Sequence, residues 1–238
     1  MTPTAAPSRP VRRGLIDNRI IGIILVVAFE IMLFTGLIGA YIVARTSAVT
    51  WPPMRAPQLN ALSGGIATAV IVLSNLLLAI AGLLSRRGLG GAGDAQEANA
   101  LAAVRRRKRL IHGLIAAALF FGLVFSVMQI MEWRQFVFDE TGRGGYGVSM
   151  TPAPEGGFFT LLRWHMGRAT YSAYFFTMTI LHGIHLWIGM IVLGLLALRG
   201  RLWEKAGQLG TRLEVTAWFW HFIGGMWLGL YYLLYILR

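Results

Sequence analysis

Cysteine is absent from the 238 residues of this chain, and acidic and histidine residues are few. Without cysteine, disulfides, thiolate metal sites and redox-active thiol pairs are excluded. There are only 10 Asp and Glu residues and 5 His residues, and the histidines are dispersed along the chain. A membrane di-iron site needs more ligands than these histidines provide. The sequence therefore predicts that function depends on a few isolated polar side chains.

Charge is also scarce, at 13% of residues, whereas 56% of residues are hydrophobic and the mean hydropathy is +0.61. An ordinary soluble domain has about 25% charged residues. Spanning a bilayer takes roughly 20 apolar residues per helix, and β-barrel strands would give much shorter alternating segments. The predicted fold is an all-α membrane protein, a bundle of five transmembrane helices. The predicted spans are Ile20–Ala44, Leu59–Leu84, Leu110–Phe138, Tyr171–Leu198 and Leu213–Leu237.

Basic residues are distributed unevenly between the two sides of this predicted bundle. Most of the 22 Lys and Arg residues fall in three segments that lie on one side, 1–19, 85–109 and 199–212. Because cytoplasmic segments of membrane proteins are enriched in Lys and Arg, we expect a cytoplasmic N-terminus and an outer C-terminus. Residues 1–19 form a basic cytoplasmic segment and 20–238 one five-helix domain. The net charge of +12 then reflects topology, and no recognition motif favours a nucleic-acid partner.

Three ionisable residues fall near the predicted bilayer midplane. Glu30 lies roughly 15 Å from the cytoplasmic end of the first helix at about 1.5 Å per residue. His182 and His185 are three residues apart on the fourth helix, so they share one face at a similar depth. Glu30 could be a protonated carboxyl that holds helices together, or could handle protons or lipid. For the histidines, interhelical hydrogen bonds are favoured over metal or haem ligation.

Other polar and aromatic residues lie closer to the predicted helix ends. Glu132 follows Gln129 in the outer third of the third helix, and His221 lies in the inner third of the fifth. Tryptophans near helix ends, such as Trp51, Trp133 and Trp164, are interpreted as interfacial anchors. The connection 85–109 reads as a flexible glycine-containing loop that ends in a basic helix start. The connection 134–170 reads as an outer loop long enough to contact a partner protein.

Six ordered motifs resemble subunit III of haem-copper cytochrome c oxidases, in the short form that lacks the first two of seven helices. Glu30 to Gly36, followed by Ala40-Tyr41, is similar to the Ser-Glu-x-x-Phe-Phe-x-Gly helix that ends in Ala-Tyr. Further similar elements are Trp51-Pro52-Pro53, Leu59-Asn60, Gln129 to Trp133, His182 to Gly189, and Glu214 to Trp227. The likeness runs from about Ile24 to the C-terminus.

One position departs from the family pattern. Members usually have Asp after the His-Phe-Val of the last motif, whereas this chain has Gly224 after His221-Phe222-Ile223. No role of that Asp is carried over to this chain. The departure leaves open a divergent branch, such as the subunit-III-like protein associated with nitric oxide reductases.

The resemblance implies a non-catalytic accessory subunit in a bacterial inner membrane, without haem or copper of its own. It implies direct contact with subunit I and a complex that also contains subunit II and small subunits, with the haem and copper held by these partner subunits. It further implies phospholipid held in a cleft between helices and support of proton uptake. The alternative of a different class is a stand-alone proton-coupled transporter using Glu30 and the histidines. Many transporters have broken helices at corresponding positions in two repeated halves. This sequence shows no such repeat, which counts against that alternative.

Overall fold

Six helices make up most of the computed structural model, which describes residues 18–86, 97–139 and 152–237. The helices are α1 (Asn18–Ser47), α2 (Ala61–Arg86), α3 (Glu97–Phe138), α4 (Phe158–Arg168), α5 (Thr170–Lys205) and α6 (Leu209–Tyr231), and α6 continues as a π-helical turn (Tyr232–Ile236). All but α4 are long and apolar enough to cross a membrane, and the described residues contain no strand. The predicted all-α membrane fold with five spans is confirmed. Which end of the bundle faces the cytoplasm stays a prediction.

The helices extend beyond the apolar segments that predicted them. α3 begins at Glu97 rather than Leu110, and α5 ends at Lys205 rather than Leu198. The added turns are rich in Arg, Lys and Glu, which lower hydropathy but are good helix formers. Hydropathy therefore marks where the apolar part of a helix ends, and the backbone continues as helix beyond it.

The expected outer loop 134–170 contains the additional helix α4, so that expectation was wrong for residues 158–168. One face of α4 is buried through Leu161, Trp164 and His165, which lie three and four residues apart. His165 Nε2–H donates to the carbonyl of Val137, 3.1 Å away, and ties α4 to the end of α3. Burial lowers the pKa of His165, and this hydrogen bond and the Asp139 charge offset the effect only in part. Residues 87–96 and 140–151, to which the sequence assigns glycine-rich loops, lie outside the described residues.

Helices α2, α3, α5 and α6 form a ring in which each packs against two neighbours. Its centre is filled by side chains that are at most 1% exposed, among them Ile71, Leu78, Phe125, Trp220 and Trp227. Several polar groups inside the ring are paired across helices. Ser74 Oγ–H donates to the Ala118 carbonyl at 2.6 Å and accepts from Trp220 Nε1–H at 3.1 Å. Such pairing is needed because lipid offers no hydrogen-bond partner.

Within this ring of helices, small residues make room for large aromatic side chains. A Cβ atom on Gly122 would lie 2.9 Å from Trp220, and one on Gly189 would lie 3.0 Å from the same indole. Two glycines from α3 and α5 thus form the slot that accepts Trp220 of α6. Close approach of helices at small residues is the usual way in which membrane helices gain packing contacts.

Helix α1 lies beside the ring and packs mainly on α5 and α6. Phe34 and Tyr41 are its buried side chains, at 1% and 0% exposure, whereas Leu25 and Met32 are 65% and 67% exposed. Only 6% of the most apolar stretch of α1 is buried, compared with 44% for α6 with its π-helical turn. Most of the apolar surface of α1 is therefore left to lipid or to another chain.

Trp133 and Trp164 were predicted to anchor helix ends at the membrane interface, and this was wrong, because both are only 8% exposed. Trp133 Nε1–H donates to Thr179 Oγ1 at 3.1 Å, and its ring packs at Gly183 of α5. An indole near a helix end can anchor the helix at the membrane interface or pack inside the protein. Contact with a neighbouring helix determines which of the two occurs.

Candidate functional site

Glu30 of α1 lies against His185 of α5, and this contact is the polar link between α1 and the ring of helices. Glu30 Oε1 is 3.0 Å from His185 Nε2, and both side chains are 13% exposed. The edge of Phe34, one turn along α1, also contacts the imidazole, with ring centroids 5.8 Å apart. The other carboxyl oxygen, Oε2, has no hydrogen-bond partner among the described residues.

The second hydrogen bond of His185 determines where the protons of this pair lie. His185 Nδ1 is 2.7 Å from the carbonyl oxygen of Leu181. A carbonyl can only accept, so Nδ1 carries a proton. If Nε2 and the carboxylate both lacked a proton, two lone pairs would face each other at 3.0 Å and repel. One proton therefore lies between these two atoms, bonded either to Glu30 Oε1 or to His185 Nε2.

His182 is within one turn of His185 but has different neighbours. It is 1% exposed, and its ring lies near Phe125 of α3 and 5.3 Å from the indole of Trp227 of α6. Its Nε2 atom has no hydrogen-bond partner among the described residues. The two histidines share a helix face, but only His185 meets a carboxyl group. His182 instead lies in the aromatic centre of the ring of helices.

Glu132 and Gln129 form a second buried polar cluster between α3 and the π-helical turn after α6. Tyr235 Oη–H donates to Glu132 Oε2, and Gln129 Nε2–H donates to the same oxygen from 3.3 Å. Gln129 is 4% exposed, and its Oε1 has no partner among the described residues. Both donors are neutral, so this carboxyl group is held without a basic side chain, unlike Glu30.

His221 of α6 is hydrogen-bonded to Asn75 of α2, next to Gly224. His221 Nδ1 and Asn75 Oδ1 are 2.9 Å apart, and Asn75 Nδ2–H donates to the Ile71 carbonyl at 2.9 Å. A Cβ atom on Gly224 would collide with the Asn75 carboxamide. The space that any side chain at position 224 would need is thus occupied by Asn75, whose oxygen is the acceptor for His221.

The remaining motif residues lie at helix contacts away from Glu30. Glu214 forms an exposed ion pair with Arg86 at 2.7 Å and connects the start of α6 to the end of α2. Trp227 Nε1–H donates to Thr68 Oγ1 at 3.0 Å. Trp51 Nε1–H donates to Tyr41 Oη at 3.1 Å, so the segment after α1 folds back on it.

Sequence reasoning did not single out Asn75 or Tyr235, although each completes one of these clusters. A signal existed for Asn75, because Ser74-Asn75 is a polar pair inside the otherwise apolar run of α2. Tyr235 gives no such signal in an aromatic-rich helix end. In the part of the chain that the structure describes, no three His, Asp or Glu side chains come together in a group that could hold a metal ion.

The fold and these clusters define a multi-pass helical membrane protein with buried polar pairs between its helices. The family model for cytochrome c oxidase subunit III matches residues 159–238. Similar curated proteins include cytochrome c oxidase subunit 3 of Synechocystis, 23% identical over 93% of this chain and 76% of its own length. That of Thermostichus vulcanus is 24% identical over 93% and 88%, and the probable cytochrome c oxidase subunit 3 of Nocardia farcinica is 25% identical over 92% and 87%. The chain is thus similar to cytochrome c oxidase subunit III in its last 80 residues by the family model, and over more than nine tenths of its length by these relatives.

Proposed function

We propose that this chain is the accessory, non-catalytic third subunit of a haem-copper cytochrome c oxidase in a bacterial inner membrane. In this role it packs beside subunit I, within a complex whose partner subunits hold the haem and copper. Similarity to cytochrome c oxidase subunit III supports the assignment to an oxidase. The observation that carries the accessory role is the Glu30–His185 pair, a buried polar contact placed where an outlying helix meets the ring of helices.

Lipid holding is the first part of the proposed role. The apolar side chains of α1 are largely exposed, and few of them reach α5 or α6. A helix with so little contact inside its own chain leaves room for acyl chains beside it, and van der Waals contact with lipid is as favourable as contact with leucine. Phospholipid beside α1, near Glu30 and next to subunit I, is our proposal for the lipid-binding region.

Support of proton uptake is the second part. Glu30 and His185 share one proton near the predicted midplane, and ionisable groups at that depth are expensive unless they have a task or a partner. We propose that the pair helps to keep protons available to subunit I. The remaining candidates, Glu132, His182 and His221, contribute to helix contacts in this proposal.

Co-purification tests the assignment to a complex. The chain is extracted in mild detergent from its native membrane, and the partners are identified together with their haem spectrum. We expect haem-bearing partner subunits and oxygen-reducing activity. Isolation of the chain without haem-bearing partners would favour the transporter, and partners that reduce nitric oxide but not oxygen would favour the nitric oxide reductase branch.

Turnover of the complex tests the role of Glu30. In the variant Glu30→Ala we expect full initial oxygen reduction and a faster loss of activity during sustained turnover. Haem spectra recorded alongside show whether the catalytic subunit is damaged or dissociates. The matched control is Glu132→Ala, which removes a buried carboxyl group held by other partners and should keep the normal rate of inactivation. Immediate and complete loss of oxygen reduction in a fully assembled Glu30→Ala complex would contradict an accessory role.

A further inference from the structure

A basic cavity of about 650 Å³ lies between the start of α3 and the end of α5. Its size is in the range of small-molecule sites, which is about 300–1,000 Å³. The charged residues that line it are Arg105, Lys108, Arg109, Arg201, Glu204 and Lys205. The Glu30–His185 pair lies more than about five turns away from Lys205 along α5, so the cavity belongs to another part of the molecule.

Sequence spacing explains why these cations face one another. Arg105, Lys108 and Arg109 are three and four residues apart, so they lie on one face of α3. Arg201 and Lys205 are four residues apart on α5, with the same consequence. α3 and α5 are neighbours in the ring of helices, and the cavity forms where these two basic faces meet.

Most of this positive charge is not neutralised within the described residues. Glu204 is the acidic residue of the cavity lining, and it pairs with Lys108 at 2.7 Å. Arg105, Arg109, Arg201 and Lys205 form no ion pair with a described acidic residue. Arg107, by contrast, points away and donates to the Leu84 carbonyl from its Nε at 2.7 Å. Four cations held around one cavity repel one another unless an anion joins them.

The depth of the cavity matches the lipid headgroup layer. From Phe138 to Arg109, α3 rises by roughly 44 Å, at about 1.5 Å per residue. A bilayer including its headgroups is about 40–45 Å thick. If Phe138 lies at one surface, Arg109 lies at the headgroup level of the other. Deeper in the membrane the same faces become apolar and exposed, with Leu198 at 83% on α5 and Phe120 at 60% on α3.

We propose that this cavity binds the phosphate group of an anionic phospholipid, whose acyl chains run along the exposed apolar faces of α3 and α5. Phosphate is the chemistry that clustered Arg and Lys recognise, with Arg able to bind two of its oxygens at once. A free phosphate ion shares this chemistry, but it would leave the apolar continuation of the site unused. Basic pockets between membrane helices on the cytoplasmic side are a recurrent form of lipid headgroup site. The proposal does not rest on the oxidase function.

The test uses the full chain, with any subunits that co-purify, in nanodiscs of phosphatidylcholine containing a trace of spin-labelled phosphatidylglycerol. The spectrum gives the fraction of probe immobilised by the protein, and spin-labelled phosphatidylcholine gives the background. The site variant is Arg109→Gln with Arg201→Gln. The matched control is Arg106→Gln with Arg199→Gln, which removes the same charge from exposed positions on the same two helices outside the cavity lining. Equal thermal unfolding of both variants shows that the fold is kept.

We expect the site variant to weaken the selective binding of phosphatidylglycerol by on the order of tenfold or more, because it loses two direct charge-assisted contacts with the phosphate. The control should lose less than about threefold. Equal losses in both variants would show diffuse attraction to surface charge and overturn the proposal. In a second arm, inorganic phosphate competes with the lipid probe. Complete displacement by phosphate at concentrations equal to those of the lipid headgroups would assign the cavity to a soluble anion and overturn the lipid as its ligand.

Discussion

The ring of α2, α3, α5 and α6 and the outlying helix α1 are held in different ways. In the ring, large and small residues fit together, as Trp220 fits between Gly122 and Gly189, and serine and threonine hydroxyls bond to indole nitrogens. Helix α1 has few buried side chains and depends on Glu30 with His185 and on the aromatic contacts of Phe34 and Tyr41. One chain thus combines a part fixed by shape with a part fixed by a few polar and aromatic contacts.

This difference indicates which part can respond to a partner or to lipid. Shape fitting tolerates little displacement, because a shift of either helix brings atoms into collision. A single hydrogen-bonded pair with an aromatic neighbour allows a helix to tilt or separate at a much smaller cost. Motion between α1 and the ring is therefore the conformational freedom expected of this molecule, and each prediction below tests one side of the contrast.

The largest effect is expected from filling the slot of Trp220. Gly122→Leu should lower the free energy of unfolding by about 3 kcal/mol, because the added side chain collides with the indole and the helices must move apart. Unfolding in a mixed detergent titration measures this. Gly113→Leu on the same helix is the control, since a Cβ atom there meets nothing within 4 Å. Equal stability of the two variants would show that the ring of helices is not fixed by shape.

Removing the polar link of α1 should have the next largest effect. Glu30→Leu should cost about 2 kcal/mol, because His185 Nε2 is left buried without a partner. Glu30→Gln keeps a donor for that nitrogen and should cost much less. A cysteine introduced at Leu37, which is partly buried, reports separation of α1 through its labelling rate. Unchanged labelling in Glu30→Leu would mean that aromatic packing alone holds α1.

A smaller effect is expected at Gly224, where the added methyl group of Gly224→Ala meets the Asn75 carboxamide. Relative to Gly225→Ala on the exposed side of α6, we expect a loss of about 1.5 kcal/mol in the free energy of unfolding. Because both variants gain the same helix propensity, their difference isolates the collision. Adding Asn75→Ala should restore most of the stability of Gly224→Ala. No recovery in the double variant would rule out Asn75 as the obstacle.

The smallest effect is expected for the second carboxyl cluster. Tyr235→Phe removes the hydroxyl that donates to Glu132 but leaves Gln129 as a donor, so the loss should be about 1 kcal/mol. Tyr232→Phe, three residues earlier and exposed, serves as the control and should be neutral. The same detergent titration measures the free energy of unfolding of both variants. If Tyr235→Phe loses more stability than Glu30→Leu, the ranking of the two polar clusters is reversed.

The five spans could be predicted from the sequence because each consists of continuous apolar residues, and lipid exposure keeps this signal strong. Helix α4 could not, since it is short and mixes Arg163 and Arg168 with Leu161 and Trp164 in a segment expected to lie in water. Which face of α4 is buried depends on the surface of α3 that α4 covers. The helical ends beyond the spans were missed for a similar reason, because charge ends the hydropathy signal but not the helix.

The candidate site was predictable in its residue types and depth but not in its pairings. Counting residues along each helix places Glu30 and the two histidines near one level. Whether Glu30 meets His182 or His185 depends on where α1 lies around α5, and nothing in either helix specifies that angle. The contact of Asn75 with Gly224 could not be predicted for a similar reason. A glycine on one helix gives no indication of which neighbouring side chain fills the space beside it.

The proton shared by Glu30 and His185 also determines how this pair responds to the membrane potential. Since His185 Nδ1 is protonated by its bond to Leu181, the pair has zero net charge wherever the shared proton lies. Moving that proton between the two atoms displaces it by roughly 1 Å, a small part of a hydrocarbon core of about 30 Å. Carrying one charge across the whole membrane involves about 2.3 kcal/mol per 100 mV, so this displacement involves less than about 0.1 kcal/mol. The pair can therefore rearrange its proton at any physiological voltage, with neither arrangement favoured by the electric field.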